Sequence, residues 1–146
     1  MQEPASPPSI TLHDDVPTSE GRLVDKGLDR SNAAAAPLHE VRPLSCFARL
    51  ASGEAIGGAV GRTWGACCEL QQLWVDAAHR RQGIGARLIR AFEQQAQQRG
   101  CRIFYLETFS FQAPALYRSL GYEVRAELQG FAPGISKFLM ARELPA

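Results

Sequence analysis

Apolar and polar positions along this 146-residue chain change period several times, and each change marks an element. Ser9–His13 alternates about Ile10 and Leu12, which predicts a first strand. Pro17-Thr18-Ser19-Glu20 is a helix-start signal, followed by Leu23, Val24 and Leu28 at helical spacing. Gly21 and Gly27 weaken that helix by about 1 kcal/mol each relative to alanine. The Ala33–Ala36 run follows Ser31-Asn32, offers no larger apolar face and ends at Pro37, so it reads as a connection.

Three strands follow, Cys46–Leu50, Ala55–Arg62 and Cys67–Val75, joined by turns at Ala51–Glu54 and Thr63–Gly65. Short turns between consecutive strands predict an antiparallel meander. Residues Ala86–Arg99 carry one apolar stripe, Leu88, Ile89, Phe92 and Ala96, opposite a Gln/Arg/Glu face, and Gly100 supplies the stop. Cys101–Glu107 is a short apolar strand, and the order strand–helix–strand makes it the parallel neighbour of the strand ending at Val75. Pro114 fits the first turn of a short helix ending at Leu120, with Gly121 as terminator. Tyr122–Leu128 and Lys137–Arg142 are the last strands. The fold class is therefore α/β: one domain over residues 9–146, its sheet antiparallel on the N-terminal side and parallel in the middle, with helices on both faces. Residues 1–8 are rich in Pro and Ser and are expected to be disordered or loosely held.

Composition narrows the function classes. At 45% hydrophobic and 21% charged, the chain reads as a soluble globular domain, and its net charge of +1 gives no general pull toward nucleic acid or membrane surfaces. No apolar run approaches the roughly 18 residues of a membrane span, and no signal peptide is readable. Cys46, Cys67, Cys68 and Cys101 lack metal-type spacing, and adjacent Cys67 and Cys68 suit reduced thiols in the cytoplasm better than disulfides. His13, His39 and His79 are scattered, so no metal site is expected.

The chemistry concentrates at Arg80-Arg81-Gln82-Gly83-Ile84-Gly85, between an apolar strand and an amphipathic helix. Two glycines one residue apart let backbone N–H groups converge on an anion, and the positive end of the helix points at the same spot. The dinucleotide fingerprint fails because Leu88 stands where its third glycine belongs, and no Gly-Lys-Ser/Thr occurs for a P-loop.

The R-x-x-G-x-G pattern within Leu73–Gly100, LWVDAAHRRQGIGARLIRAFEQQAQQRG, resembles the acetyl-CoA-binding segment of the GNAT-type N-acetyltransferases. Ala115–Val124, ALYRSLGYEV, resembles the second hallmark of that family, a tyrosine-bearing short helix and the strand after it. Thr108–Ala113, TFSFQA, is similar to a group of small bacterial members. The order of elements over residues 9–143 matches the family layout. Two motifs about thirty residues apart are together far more specific than either alone.

The resemblance implies a GNAT-like domain in which two central parallel strands splay apart, and it implies a role for each matching residue. Backbone amides of Arg80, Arg81, Gln82, Gly83, Ile84, Gly85 and Ala86 would bind the pyrophosphate of acetyl-CoA, the co-substrate. A Cβ at Gly83 or Gly85 would obstruct that approach. Leu73, Trp74 and Val75 lie on the strand whose backbone would pair with the pantetheine arm, and amides near Val75 would hold the developing oxyanion. Tyr117 is the general acid for the departing thiolate, and Tyr105 and Tyr122 read as packing residues. Glu69 is the first candidate for the base that deprotonates an amine, and Glu107 is the second. Many members carry an asparagine seven residues before the tyrosine; here Ser110 stands there, and Ser110 or Gln112 would substitute. Trp64 and Trp74 read first as packing residues, with lining of the acceptor pocket as the alternative.

The leading expectation is a cytoplasmic N-acetyltransferase that moves acetyl from acetyl-CoA to a primary amine, on a small molecule or a peptide, by direct attack. A non-catalytic acyl-CoA-binding module of the same fold is the alternative, and a nucleotide-binding protein using the same cradle is a third reading. An exposed strand edge allows a homodimer. The acceptor is not legible, because its pocket would be built from the N-terminal helix, the loop after it and Gly130–Ser136.

Overall fold

The computed structural model describes residues 6–145, so residues 1–5 of the expected loose N-terminal segment lie outside the described part. The chain divides into two compact units, Met1–Leu38 and His39–Ala146.

Among its described residues the first unit holds one α-helix, α1, over Thr18–Ala35, which begins at the predicted start signal. Gly21 N–H donates to the Pro17 carbonyl at 2.9 Å and closes the first turn. Two of the expectations fail here. The alanine run extends the helix as far as Ala35 instead of connecting elements, because alanine loses no side-chain entropy in a helix that already exists. Ala36 turns extended at φ −149°, as a residue before proline must. Ser9–His13 forms no strand. Alternation alone cannot hold a strand that has no ladder partner.

The second unit carries six strands: β1 (Arg42–Arg49), β2 (Ala55–Trp64), β3 (Cys67–Val75), β4 (Ile103–Phe109), β5 (Glu123–Leu128) and β6 (Lys137–Glu143). Helix α2 spans Ile84–Gln98 and α3 spans Pro114–Ser119. The sheet order is β1-β2-β3-β4-β6-β5. Among the described residues only β3 and β4 pair in parallel, as the strand–helix–strand order requires. Boundaries differ from the predicted ones by a few residues. The largest shift is at β1, which starts four residues early; β4 slides two residues along the chain, and Thr63-Trp64 continue β2 and leave the turn to Gly65-Ala66.

The core lies between the sheet and α2. Leu88, Ile89, Phe92 and Ala96, the predicted stripe, are all buried against Leu44, Ala59, Cys68, Leu70, Phe104, Leu106 and Met140. Burial of each large side chain contributes about 1.5–3 kcal/mol. Tyr117 and Leu116 of α3 join the same cluster.

Glu93 sits on that stripe too, 1% exposed. Its carboxylate accepts from Arg90 at 2.9 Å, Arg142 at 2.8 Å and the Tyr122 hydroxyl at 3.0 Å, so a buried charge is matched from three sides. Arg90 also donates to the Leu120 carbonyl at 3.2 Å, which ties α2 to the end of α3. The expectation that the glutamate of this helix lies on the polar face opposite the stripe fails, because Glu93, four residues after Ile89 and three before Ala96, turns inward to meet these partners.

Candidate functional site

A single irregularity in β3 builds the site. Between β2 and β3 the register steps from Val60↔Gln72 to Gly61↔Leu70, leaving Gln71 as an extra residue on β3. One extra residue reverses the inside–outside parity of everything after it. Accordingly Cys68 and Leu70 are buried before the bulge, while Leu73 and Val75 pack on the core after it. A Cβ on Gly61 would overlap the Glu69 carbonyl oxygen, so the bulge demands glycine opposite.

The bulge also ends the parallel ladder. Strands β3 and β4 pair only from Cys67↔Ile103 to Leu70↔Leu106. Beyond that point β3 follows β2 as far as Val75↔Gly57, and β4 follows β6 as far as Phe109↔Lys137. Bulges bend and overtwist the strand that carries them, and here the result is a gap through the middle of the sheet. A cleft of about 1110 Å³ opens there, large enough for a cofactor.

The cradle closes one end of the cleft. Arg81 takes a left-handed backbone at φ 63°, and Gly83, the residue that caps α2, takes φ 75°. The left-handed conformation costs an ordinary residue about 1–2 kcal/mol, so Gly83 is needed for its backbone angle. Within the protein a Cβ there would meet nothing within 4 Å, so packing makes no demand for this glycine. At Gly85 a Cβ would press the Leu116 side chain at 3.3 Å, so this glycine lets α3 approach α2. No side chain caps α2. The first N–H groups of the helix therefore stay available to an anion, beside Arg80 and Arg81. Arg80 Nε donates to the Val75 carbonyl at 3.1 Å, which fixes its stem to the end of β3.

Most of the expected site residues line the cleft: Leu73, Trp74, Val75, Arg80, Arg81, Gly83, Ile84, Gly85, Ala86, Gln112 and Tyr117, together with Glu107. Three do not. Gln82 lines a second, shallower cavity with Ile84, Ala86 and Arg87. The Ser110 hydroxyl accepts the Ser136 N–H at 3.0 Å and lies 3.5 Å from the Gly134 carbonyl, holding the 130–136 loop. Glu69 lies opposite Arg62 across β2 and β3 and accepts its Nε–H at 3.0 Å. Gln112 Oε1 accepts the Phe109 N–H at 2.8 Å and the Thr108 hydroxyl at 3.2 Å, bracing the turn before α3. Trp64 and Trp74 are 41% and 55% exposed, so neither is the buried packing residue expected first; Trp74 lines the cleft and Trp64 does not.

Tyr117 is 7% exposed and packs edge-on to Tyr122 with centroids 6.0 Å apart. Burial pushes its phenol above the ordinary value near 10, so the hydroxyl stays protonated at neutral pH. Among the described residues that hydroxyl has no protein partner, yet it is not sealed from solvent, so it opens onto the cleft. Glu107 stands between buried Leu106 and Thr108 and so points to the other face of the sheet. Its Oε2 is 2.9 Å from Lys137 Nζ, and it is the one carboxylate among the described residues of the cleft wall. The gap thus offers a protonated phenol on the α2 face and a carboxylate on the opposite face. Phe111, also on the wall, escaped the sequence reading, although it lies inside the TFSFQA segment.

Comparisons with known proteins agree with this geometry. Residues 13–122 match the profile of the Acetyltransferase (GNAT) family. A blasticidin-S acetyltransferase from Streptomyces morookaense is 39% identical over 112 residues, 74% of this chain and 82% of that protein. An acetyltransferase from Agrobacterium fabrum is 32% identical over 95 residues, covering 65% of this chain and 69% of its own. The crystal structure of an acetyltransferase from Bacillus cereus superposes with a TM-score of 0.77 at 25% identity, over 92% of this chain and 98% of that one. The chain belongs to the GNAT family and is an acetyltransferase whose co-substrate is acetyl-CoA.

Proposed function

We propose that the protein acetylates a primary amine on a small molecule by direct attack within a ternary complex. The observation that carries this reading is the gap in the sheet, which is open to the cradle and Tyr117 on one face and to Glu107 on the other. Coenzyme A would anchor its diphosphate on the uncapped start of α2, with its pantetheine arm along the unpaired edge of Leu73–Val75. Bound there, acetyl-CoA supplies the activated acyl group.

This chain's own residues do the rest. Main-chain N–H groups near Val75 face the place where the thioester oxygen gains charge. The ammonium of the acceptor gives a proton to Glu107, by contact or through a water, and the free amine attacks the carbonyl carbon. The C–N bond forms, the C–S bond breaks, and Tyr117 passes its hydroxyl proton to the departing sulfur; the second proton of the attacking nitrogen leaves through water and restores the phenol. The products are an acetamide and coenzyme A thiol, and no electrons change owner. Glu107 serves as base in this scheme because it is on the cleft wall and Glu69 is not. Cysteine chemistry has no place in it: no cysteine lines the cleft among the described residues, and burial pushes the Cys68 thiol up to about 12. Four free cysteines suit a reducing cytoplasm, where acetyl-CoA is at hand.

The first acceptor to assay is blasticidin S, because a relative bears its name. Thiol release from acetyl-CoA on adding an amine is the expected result. Tight acetyl-CoA binding with no release across blasticidin S and a broad amine panel would replace catalysis with a binding role.

A further inference from the structure

On the cleft's Glu107 side the wall ends in a cluster of phenyl rings. Phe109 follows Glu107 by two residues on the same face of β4, about 7 Å along the strand. Phe111 stacks on Phe109 with centroids 5.3 Å apart and planes within 9°, and Phe131 closes on Phe109 edge-on at 5.4 Å. Lys137 Nζ lies 5.5 Å from the Phe109 centroid. Phe109 is therefore enclosed, but Phe111 is not: it is 66% exposed while lining the cleft. A stacked ring uses one face for its neighbour, so the second face of Phe111 is open. Leaving a large apolar surface bare on a cleft wall is costly unless a ligand covers it.

We propose that the acceptor carries an aliphatic amine on a side chain of a flat aromatic ring, and the ring extends the Phe109–Phe111 stack while the ammonium lies toward Glu107. Phe111 is then a residue that sets acceptor specificity. Arg80 and Arg81 stand at the phosphate end, and the cleft's one carboxylate among the described residues, Glu107, stands at this end paired with Lys137. A flat ring presents a quadrupole that matches the Phe111 face at stacking distance. A saturated ring of the same carbon count is too thick and lacks that quadrupole.

This inference rests on the amine-acetylation reading, and calorimetry separates the two. Full-length protein saturated with coenzyme A is titrated with 2-phenylethylamine and with 2-cyclohexylethylamine. The flat amine is expected to bind about fivefold more tightly, a preference of the size aromatic pairs give. Phe111→Leu should abolish the preference and Phe111→Trp should keep it, with an acetyl-CoA isotherm on each preparation certifying an intact cleft. Equal affinity of the two amines, a preference that survives Phe111→Leu, or no binding of either amine overturns the inference while acetyl-CoA binding stands. Failure of acetyl-CoA itself to bind overturns the parent reading and this one together.

Discussion

The two halves of β3 differ in what pairs with them. From Cys67 to Leu70 the strand is paired on both sides, and Cys68 and Leu70 are buried in the core. From Gln71 to Val75 it is paired with β2 alone, and its other edge faces the cleft. Nine consecutive residues thus serve first as core and then as a binding edge. Nothing in their side chains compels the change. A backbone event does, one extra residue at Gln71 with Gly61 opposite, so the chemistry of this site is set by main-chain geometry before any side chain acts.

The sharpest way to break the contrast is Gly61→Ala. The new Cβ must displace the Glu69 carbonyl or undo the bulge, and either result reaches the core beneath it. A loss of about 3 kcal/mol or more is expected by urea denaturation, at the upper end of overpacking costs. Next is Glu93→Gln, which leaves Arg142 beside a buried site without its counter-charge. Removing one partner of a buried ion pair costs about 3 kcal/mol, read in the same assay. A Glu93→Gln protein as stable as the parent would mean the three partners contribute nothing net.

Tyr117→Phe tests the open half alone. A drop in kcat of about 100-fold is expected with little change in KM for acetyl-CoA, the least that general acid catalysis usually contributes. The same residue carries a pH signature. Its phenol is raised above its ordinary value by burial, so its contribution to stability is whole below about 10 and is lost as pH rises through the higher folded value. Denaturation curves of the parent should therefore weaken above pH 10, and those of Tyr117→Phe should weaken less. The smallest expected effect is Gly83→Ala. Adopting a left-handed backbone costs alanine about 1 kcal/mol. Relaxing it would turn N–H groups away from the cradle, so acetyl-CoA affinity by calorimetry should fall about fivefold, one kcal/mol being a factor of five.

Where local pattern and tertiary need agree, the elements were legible. The α2 stripe, the parallel pair, the short helix of Tyr117 and the glycine turn before α2 all follow from spacing that a single segment satisfies on its own. Ser9–His13 shows the reverse: its alternation is a fair local signal, but a strand exists only when a partner supplies the ladder. The alanine run failed for a related reason, since it was judged apart from the helix that precedes it.

The sequence by itself determined the family, the cradle and the tyrosine, because each is written in contiguous residues with a fixed spacing. Only the tertiary structure decided which carboxylate lines the gap, because the parallel ladder holds Glu69 within its paired length and stops at Leu70 and Leu106, one residue before Glu107. It also decided that Ser110 braces a loop, that Glu93 gathers Arg90, Tyr122 and Arg142, and that one face of Phe111 stays bare. Those facts belong to contacts between residues far apart in the chain, which no window along it contains.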